Sequence, residues 1–252
     1  MRTTLILFTS TLLSLMGCSS YCINKTKPKT IQKEAVILLH GFGRSAGAMW
    51  KLNERLGEAG FDVYDIGYRS FTQGVSEMQA EVKKKIKSKN LARYQKVHFV
   101  GHSLGGLLIR SFLQEHRLMN LGHVVLLGSP NKGTPVVDYF KDRWWAFLAG
   151  PAVKSLSAKG SVFLESLKRP TYPLGVVAGS LEKKEHEHIL IGKDDGLVPL
   201  ESTKVEGMND FIVIPSSHTY LRYSKIAAAQ TINFLKNGKF KKLTFMYPPS
   251  IK

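Results

Sequence analysis

Cysteine is almost missing from this 252-residue chain: Cys18 and Cys22 are the only two. Everything after residue 22 therefore lacks both a disulfide framework and a thiolate metal site. Acidic residues are also scarce, 19 against 36 lysines and arginines, for a formal net charge of +17. The apolar stretch Leu5 to Met16 is too short to cross a bilayer as a helix. No Pro-, Gly- or Ser-rich linker, repeat or low-complexity tract interrupts the chain, so one domain with one substantial core is expected.

What is present begins with a leader. Arg2 precedes the apolar stretch, and the stretch closes on Leu15-Met16-Gly17-Cys18-Ser19. This resembles a bacterial lipoprotein signal, with residues 1–17 removed and Cys18 acylated as the new N-terminus; Met16 departs from the usual pattern. Residues 18–33, polar and lysine-bearing with Pro28, then read as a tether. The implied location is the cell envelope, with the protein anchored to a membrane and facing the periplasm or exterior. The alternative is a hydrophobic signal that merely ends at a cysteine, with Cys22 then able to pair with Cys18. Lysines concentrate at Lys83, Lys84, Lys85, Lys87 and Lys89, and in a basic tail over 237–252 together with Lys236. They suit either a solvated surface or attraction to an anionic membrane. No motif accompanies them that would indicate nucleic acid binding.

The most informative segment is Gly101-His102-Ser103-Leu104-Gly105-Gly106, between the apolar run Val97 to Val100 and the helical run Leu107 to Leu113. Gly-x-Ser-x-Gly at a strand-to-helix junction is the pattern of a nucleophile elbow. A side chain at 101 or 105 would strike the neighbouring strand or helix, and the serine hydroxyl projects alone at the positive end of a helix.

Apolar runs at Ala35 to Leu39, Phe61 to Tyr68, Val97 to Val100, His123 to Leu127, Pro173 to Ala178 and Phe211 to Ile214 predict six strands. Helical periodicity appears through Trp50, Leu52 and Leu56, over Val75 to Lys87, from Leu104 to Glu115 and from Tyr220 to Leu235. This alternation predicts an α/β fold, a mostly parallel sheet of about six strands with helices on both faces and a small helical cap. Ligands in such sheets bind beyond the carboxyl ends of the strands, where Ser103 and the loops at His40, Asp195 and His218 lie.

A serine hydroxyl needs a base to take its proton and an anion to orient that base. His218, after the sixth strand, is the candidate base. Asp195, after the fifth, is the candidate acid; Asp194 is the alternative. The oxyanion donors would be the backbone amides of Leu104 and Phe42. His40 and His102 fall where a residue shapes a turn, while His98 and His123 open strands. His186 and His188 suit a solvated loop better than a metal site, so no metal is expected.

Together, His40-Gly41-Phe42-Gly43, the Ser103 elbow, Gly128-Ser129-Pro130-Asn131-Lys132-Gly133-Thr134, the Asp-Gly-Leu-Val-Pro loop at Asp195 and His218 resemble a bacterial lipase or esterase of the α/β-hydrolase superfamily. The resemblance covers about residues 35 to 236. It implies hydrolysis of carboxylic esters, lipids included, with no cofactor, through an acyl-enzyme on Ser103; the hydrolase domain is read as 34–236 and the protein as a monomer. Two departures are visible: the two leading strands of the full fold are missing, and no calcium site is evident. The same triad also serves acyl transferases, amidases and thioesterases, and a catalytically silent envelope-binding lipoprotein is the reading from another class. The cap would be the insertion at about 135–170, with Tyr139, Phe140, Trp144, Trp145, Phe147 and Leu148 either lining an acyl groove or packing on the sheet. Trp50 and Tyr68 stand as cleft or core residues.

Overall fold

In the computed structural model, which describes residues 33–140, 150–182 and 188–243, every predicted strand forms and all pair in parallel. They are β1 (Glu34–Leu39), β2 (Asp62–Ile66), β3 (Lys96–His102), β4 (Leu121–Leu127), β5 (Leu174–Ser180) and β6 (Asp210–Pro215). The order across the sheet is β2-β1-β3-β4-β5-β6. Helices α1 (Trp50–Glu58) and α7 (Lys225–Asn237) cover one face, and α2 (Val75–Lys87) and α3 (Leu104–Glu115) the other; the short α4 (Pro135–Phe140) and α5 (Val162–Glu165) lie between β4 and β5, and α6 (Leu200–Thr203) between β5 and β6. The expected α/β-hydrolase architecture is therefore the observed one. Among the described residues no helix is long and apolar enough to cross a membrane.

Period-two alternation of the strands explains the two cores. Ala35, Ile37 and Leu39 of β1 point to the α2/α3 side, and Val36 and Leu38 to the α1/α7 side. Val124 and Leu126 of β4 repeat the division against Val125 and Leu127. All nine are fully buried, and each valine, leucine and isoleucine among them contributes about 1.5–3 kcal/mol by leaving water. A strand polar on one face could not have occupied the middle of this sheet.

Several boundaries differ from the sequence expectation. β2 stops at Ile66 rather than Tyr68, because Gly67 packs against Ala46 and Tyr68 turns away to bond the first loop. The last helix starts at Lys225, not Tyr220: Ser224, extended at ψ 127°, caps it by accepting from the Ala227 amide at 3.2 Å, and Tyr220–Arg222 form a separate 3-10 turn. Gly238 ends the helix in a left-handed conformation at φ 72°. The domain, expected to close at 236, continues through residue 243. Phe240 stacks on Phe234 at 4.9 Å, its amide donates to Asp210, and Lys241 exchanges two hydrogen bonds with Gln230. These residues belong to the body, not to a basic tail. The leader, the tether up to residue 32 and the tail beyond residue 243 lie outside the described residues.

The sheet also holds one misplaced charge. Asp65 of β2 has a buried carboxylate oxygen without a partner among the described residues, and burial pushes its pKa up to about 7. Between 3.8, its ordinary value, and about 7 the folded protein keeps a proton that the unfolded chain has released. Stability from this group is therefore lost as pH rises through 7. Asp65→Asn, which stays neutral, is expected to raise Tm by an increment that grows across this window and then levels off. Thermal unfolding at pH 5 and pH 8 measures it; a larger gain at pH 5 would contradict the assignment.

Candidate active site

The strand order reverses between β1 and β3: the chain goes from β1 outward to β2 and then back across to β3. The loops that leave β1 and β3 consequently diverge and open a crevice at the carboxyl edge, where parallel sheets hold ligands. Ser103 stands at the end of β3 and Phe42 in the loop after β1.

Ser103 has φ 55° and ψ −125°, and is the sole non-glycine with positive φ among the described residues. This is the strained geometry of a turn that must reverse within one residue between strand and helix. The surroundings dictate glycine on both sides. A Cβ at Gly101 would stand 2.5 Å from the Gly106 backbone of α3, and one at Gly105 would strike the carbonyls of Leu39 and His40 at the end of β1. The amide of Ser103 is fixed to the Leu127 carbonyl at 2.9 Å, tying the elbow to β4.

His218, on the loop after β6, brings its Nε2 within 2.9 Å of Ser103 Oγ. Its Nδ1 lies 2.7 Å from Asp195 Oδ2. A carboxylate can only accept, so Nδ1 carries the proton and Nε2 faces the serine as a base. Asp195 is held in turn: its Oδ1 accepts from the amides of Val198 at 2.8 Å and Leu197 at 3.1 Å, and its own carbonyl accepts the His218 amide at 2.8 Å. Asp194 instead points to the Gly196 amide at 2.8 Å, which closes the local turn. Of the two adjacent acids, Asp195 is the one that meets the imidazole. Ser103, Asp195 and His218 are all buried.

Phe42 lines the same cleft as Ser103, and Leu104 follows the serine directly. Neither backbone amide donates to another group among the described residues, and Leu104 opens α3, where the first helical amides lack intrahelical acceptors. Developing negative charge on a carbonyl bound at Ser103 would meet both amides and the helix N-terminus.

Two histidines buttress the site, neither as base. His40 stacks on Tyr68 at 4.1 Å, and its Nδ1–H donates to Gly41 O at 2.8 Å while Nε2 accepts from the Tyr68 amide; the Tyr68 hydroxyl donates to the His40 carbonyl. Burial lowers the His40 pKa, so the ring stays neutral and the loop bearing Phe42 is held. His102 Nε2–H donates to the His218 carbonyl at 2.8 Å. Burial, with the His218 charge second, holds its pKa well below the usual value. Arg222 bonds the carbonyls of Thr219 and Ala48, and buried Arg110 those of Leu167 and Lys168 together with Asn131. Sequence reading missed the supports from Tyr68, Arg110 and Arg222, which reach carbonyls that no motif marks.

The cleft above Ser103 has a volume of about 190 Å³. Phe42, Pro130, Val137, Leu156 and Leu197 wall it, with Arg44 and Thr219 at the margin. The segment 135–170 does line it, through Val136 and Val137 near the start of α4 (Pro135–Phe140) and through Val153 and Leu156. Of the residues read as either lining the groove or packing away from it, Tyr139 and Phe140 do not line it: they pack on each other, and Tyr139 on His188. Trp144, Trp145, Phe147 and Leu148 lie outside the described residues, as does His186. Trp50 is half exposed on the surface and Tyr68 is buried under the first loop, so neither reaches the cleft. No group of three potential metal ligands occurs among the described residues.

Comparison with known proteins adds a family. The family model described as palmitoyl protein thioesterase matches residues 35–170. No curated protein matches the chain. Similar solved structures include the mature form of Bacillus licheniformis lipase BlEst2, at TM-score 0.68 and 18% identity over 82% of this chain and 92% of that one. Phospholipase PlaB from Legionella pneumophila superposes at TM-score 0.59 and 15% identity over 79% of this chain and 57% of the other. Staphylococcus hyicus lipase gives 0.58 and 14%, over 84% and 95%. At these identities the likeness is one of fold.

Proposed function

From the premise that this chain belongs to the palmitoyl protein thioesterase family, with the α/β-hydrolase fold, we propose that it is a serine hydrolase of carboxylic esters acting through an acyl-enzyme on Ser103. One observation carries the reading: an unbroken relay from Ser103 Oγ to His218 Nε2, at 2.9 Å, and from His218 Nδ1 to Asp195, at 2.7 Å, at the floor of an apolar cleft. His218 takes the serine proton as Oγ attacks the acyl carbonyl. The amides of Phe42 and Leu104 receive the oxyanion, Asp195 stabilises the imidazolium, and His218 returns the proton to the leaving alcohol. Water then repeats the sequence and frees the acid. The apolar walls favour an acyl chain over a charged group.

Thioester cleavage is the second reading, favoured by the name of the matching family. A thiol is the better leaving group and asks less of His218 as acid; the same relay serves both. We further propose that Cys18 carries lipid and that the enzyme works anchored in the cell envelope, supported by the lipoprotein-like leader.

Labelling with a fluorophosphonate probe, followed by oxygen esters and thioesters of graded chain length, tests the reading. Labelling that is absent in wild type, or that persists in Ser103→Ala, overturns it. The two acids give a second test. Asp195→Asn should lower kcat by about 10⁴-fold through loss of the correct tautomer. Asp194→Asn, which keeps an oxygen for the Gly196 amide, should cost less than about tenfold. Equal losses in steady-state kinetics would contradict the assignment of Asp195.

A further inference from the structure

We propose that the sheet edge at which the six strands begin is a docking surface for an anionic lipid bilayer, and that docking there leaves the cleft pointing away from that bilayer. A parallel sheet brings all its strand starts, and the ends of α2, α3 and α7, to one edge. Lys87 closes α2 and Arg117 follows α3, both exposed. Beyond α7, Lys239, Lys241 and Lys242 are exposed on the segment pinned by Phe240 and Gln230. None of these five takes part in an ion pair among the described residues.

Of the carboxylates that open the strands, Glu34 and Asp62 are matched by lysines of the same edge, and Asp210 alone keeps an unpaired charge among the described residues. Glu34 faces His98 and Lys96, Asp62 accepts from Lys33 and Tyr94, and Asp210 accepts from the Phe240 amide. Exposed Glu58 and Glu115 remain the minority. The cations are held on rigid backbone: the Asn120 side chain clasps the carbonyls of Leu91 and Tyr94, joining the turn after α2 to the turn after α3. Met119, 95% exposed, stands in that turn as an apolar side chain able to enter a headgroup layer.

Breadth favours a planar polyanion. Six strands spaced about 4.8 Å apart span roughly 24 Å, with cations on both faces of the sheet. The chain also enters β1 at this edge, at Lys33, so the tether from Cys18 joins the fold there; this strand of the argument rests on the lipid-anchor reading of Cys18. Basic charge beside an acyl chain supplies the second signal that stable anchoring requires. Strands of six or seven residues put Ser103 about 20 Å from the edge, more than two Debye lengths at physiological salt. Docking therefore neither covers the cleft nor alters its field.

The test is co-sedimentation of the full chain with phosphatidylcholine vesicles, with and without phosphatidylglycerol. Wild type should prefer anionic vesicles, and added salt should remove the preference. K87E/R117E and K239E/K241E/K242E should each lower it by about tenfold or more, with far-UV circular dichroism and hydrolysis of a water-soluble ester unchanged. Lysine-to-glutamine versions should fall between. Cys18→Ala should weaken retention on both vesicle types yet keep the ratio between them, which separates failure of the anchor reading from failure of this one. Equal partition of wild type, an intact preference in both reversed variants, loss of the ratio in Cys18→Ala, or stronger competition by duplex DNA than by lipid at equal phosphate would each overturn the proposal.

Discussion

Replacing Ser103 by alanine is expected to lower kcat about a million-fold, an effect that only His218→Ala should match. The magnitude follows from the site's construction. Among the described residues the hydroxyl is the group hydrogen-bonded to His218 Nε2, and removing it deletes the acyl intermediate instead of slowing one proton transfer. About 8 kcal/mol of transition-state stabilisation would go. What survives should be the modest acceleration supplied by the Phe42 and Leu104 amides and the apolar cleft. Because serine and imidazole act as one unit, Ser103→Ala/His218→Ala should be scarcely slower than either single variant. Single-turnover kinetics with an activated ester reads both effects. A Ser103→Ala enzyme within tenfold of wild type, or singles whose losses multiply in the double, would remove the nucleophile from the scheme.

The parts of this architecture legible in the sequence are those whose physics is local. β1 and β4 declare themselves because a strand buried on both faces must be apolar at every position. The elbow declares itself because only glycine tolerates the approach of Gly106 to Gly101. Order along the chain carried the rest of the relay, since a serine, an acid and a histidine after successive strands of one parallel sheet emerge along the same edge. Deciding between Asp194 and Asp195 from geometry required a tertiary contact: adjacent carboxylates point in different directions, and only coordinates reveal which one meets the ring. The supports were invisible for the same reason. His102 acts on a carbonyl 116 positions away, and a backbone carbonyl has no sequence signature. Helix periodicity misled at Tyr220, where a 3-10 turn continues the apolar spacing that Ser224 then restarts as a true helix. At the other end of that helix, a lysine-rich composition suggested a tail, although Phe240 and the hydrogen bonds to Asp210 and Gln230 dock it.

Gly105→Ala should destabilise the protein by about 3 kcal/mol or more, although it adds one methyl group and ordinarily improves a helix. Gly105 lies in the first turn of α3, where propensity alone favours alanine by about 0.5–1 kcal/mol. Against this gain stands a collision with the carbonyl oxygens of Leu39 and His40. Neither is the end of a flexible side chain. Leu39 is the last residue of β1, hydrogen-bonded between β2 and β3, and the His40 carbonyl receives the Tyr68 hydroxyl. Relief requires α3 to move off the sheet, opening space beneath the fully buried Leu104 and Leu107, so overpacking and cavity costs arrive together. At roughly 2–4 °C per kcal/mol for a domain of this size, Tm should fall by about 6–12 °C. The control is the same exchange at Gly57, inside α1, where an added Cβ meets nothing within 4 Å. Gly57→Ala should raise stability by the 0.5–1 kcal/mol that Gly105→Ala forfeits. Calorimetry on the pair decides the matter: equal and favourable shifts would mean that α3 does not press on the end of β1, and with that the geometric reason for glycine at the elbow would be lost.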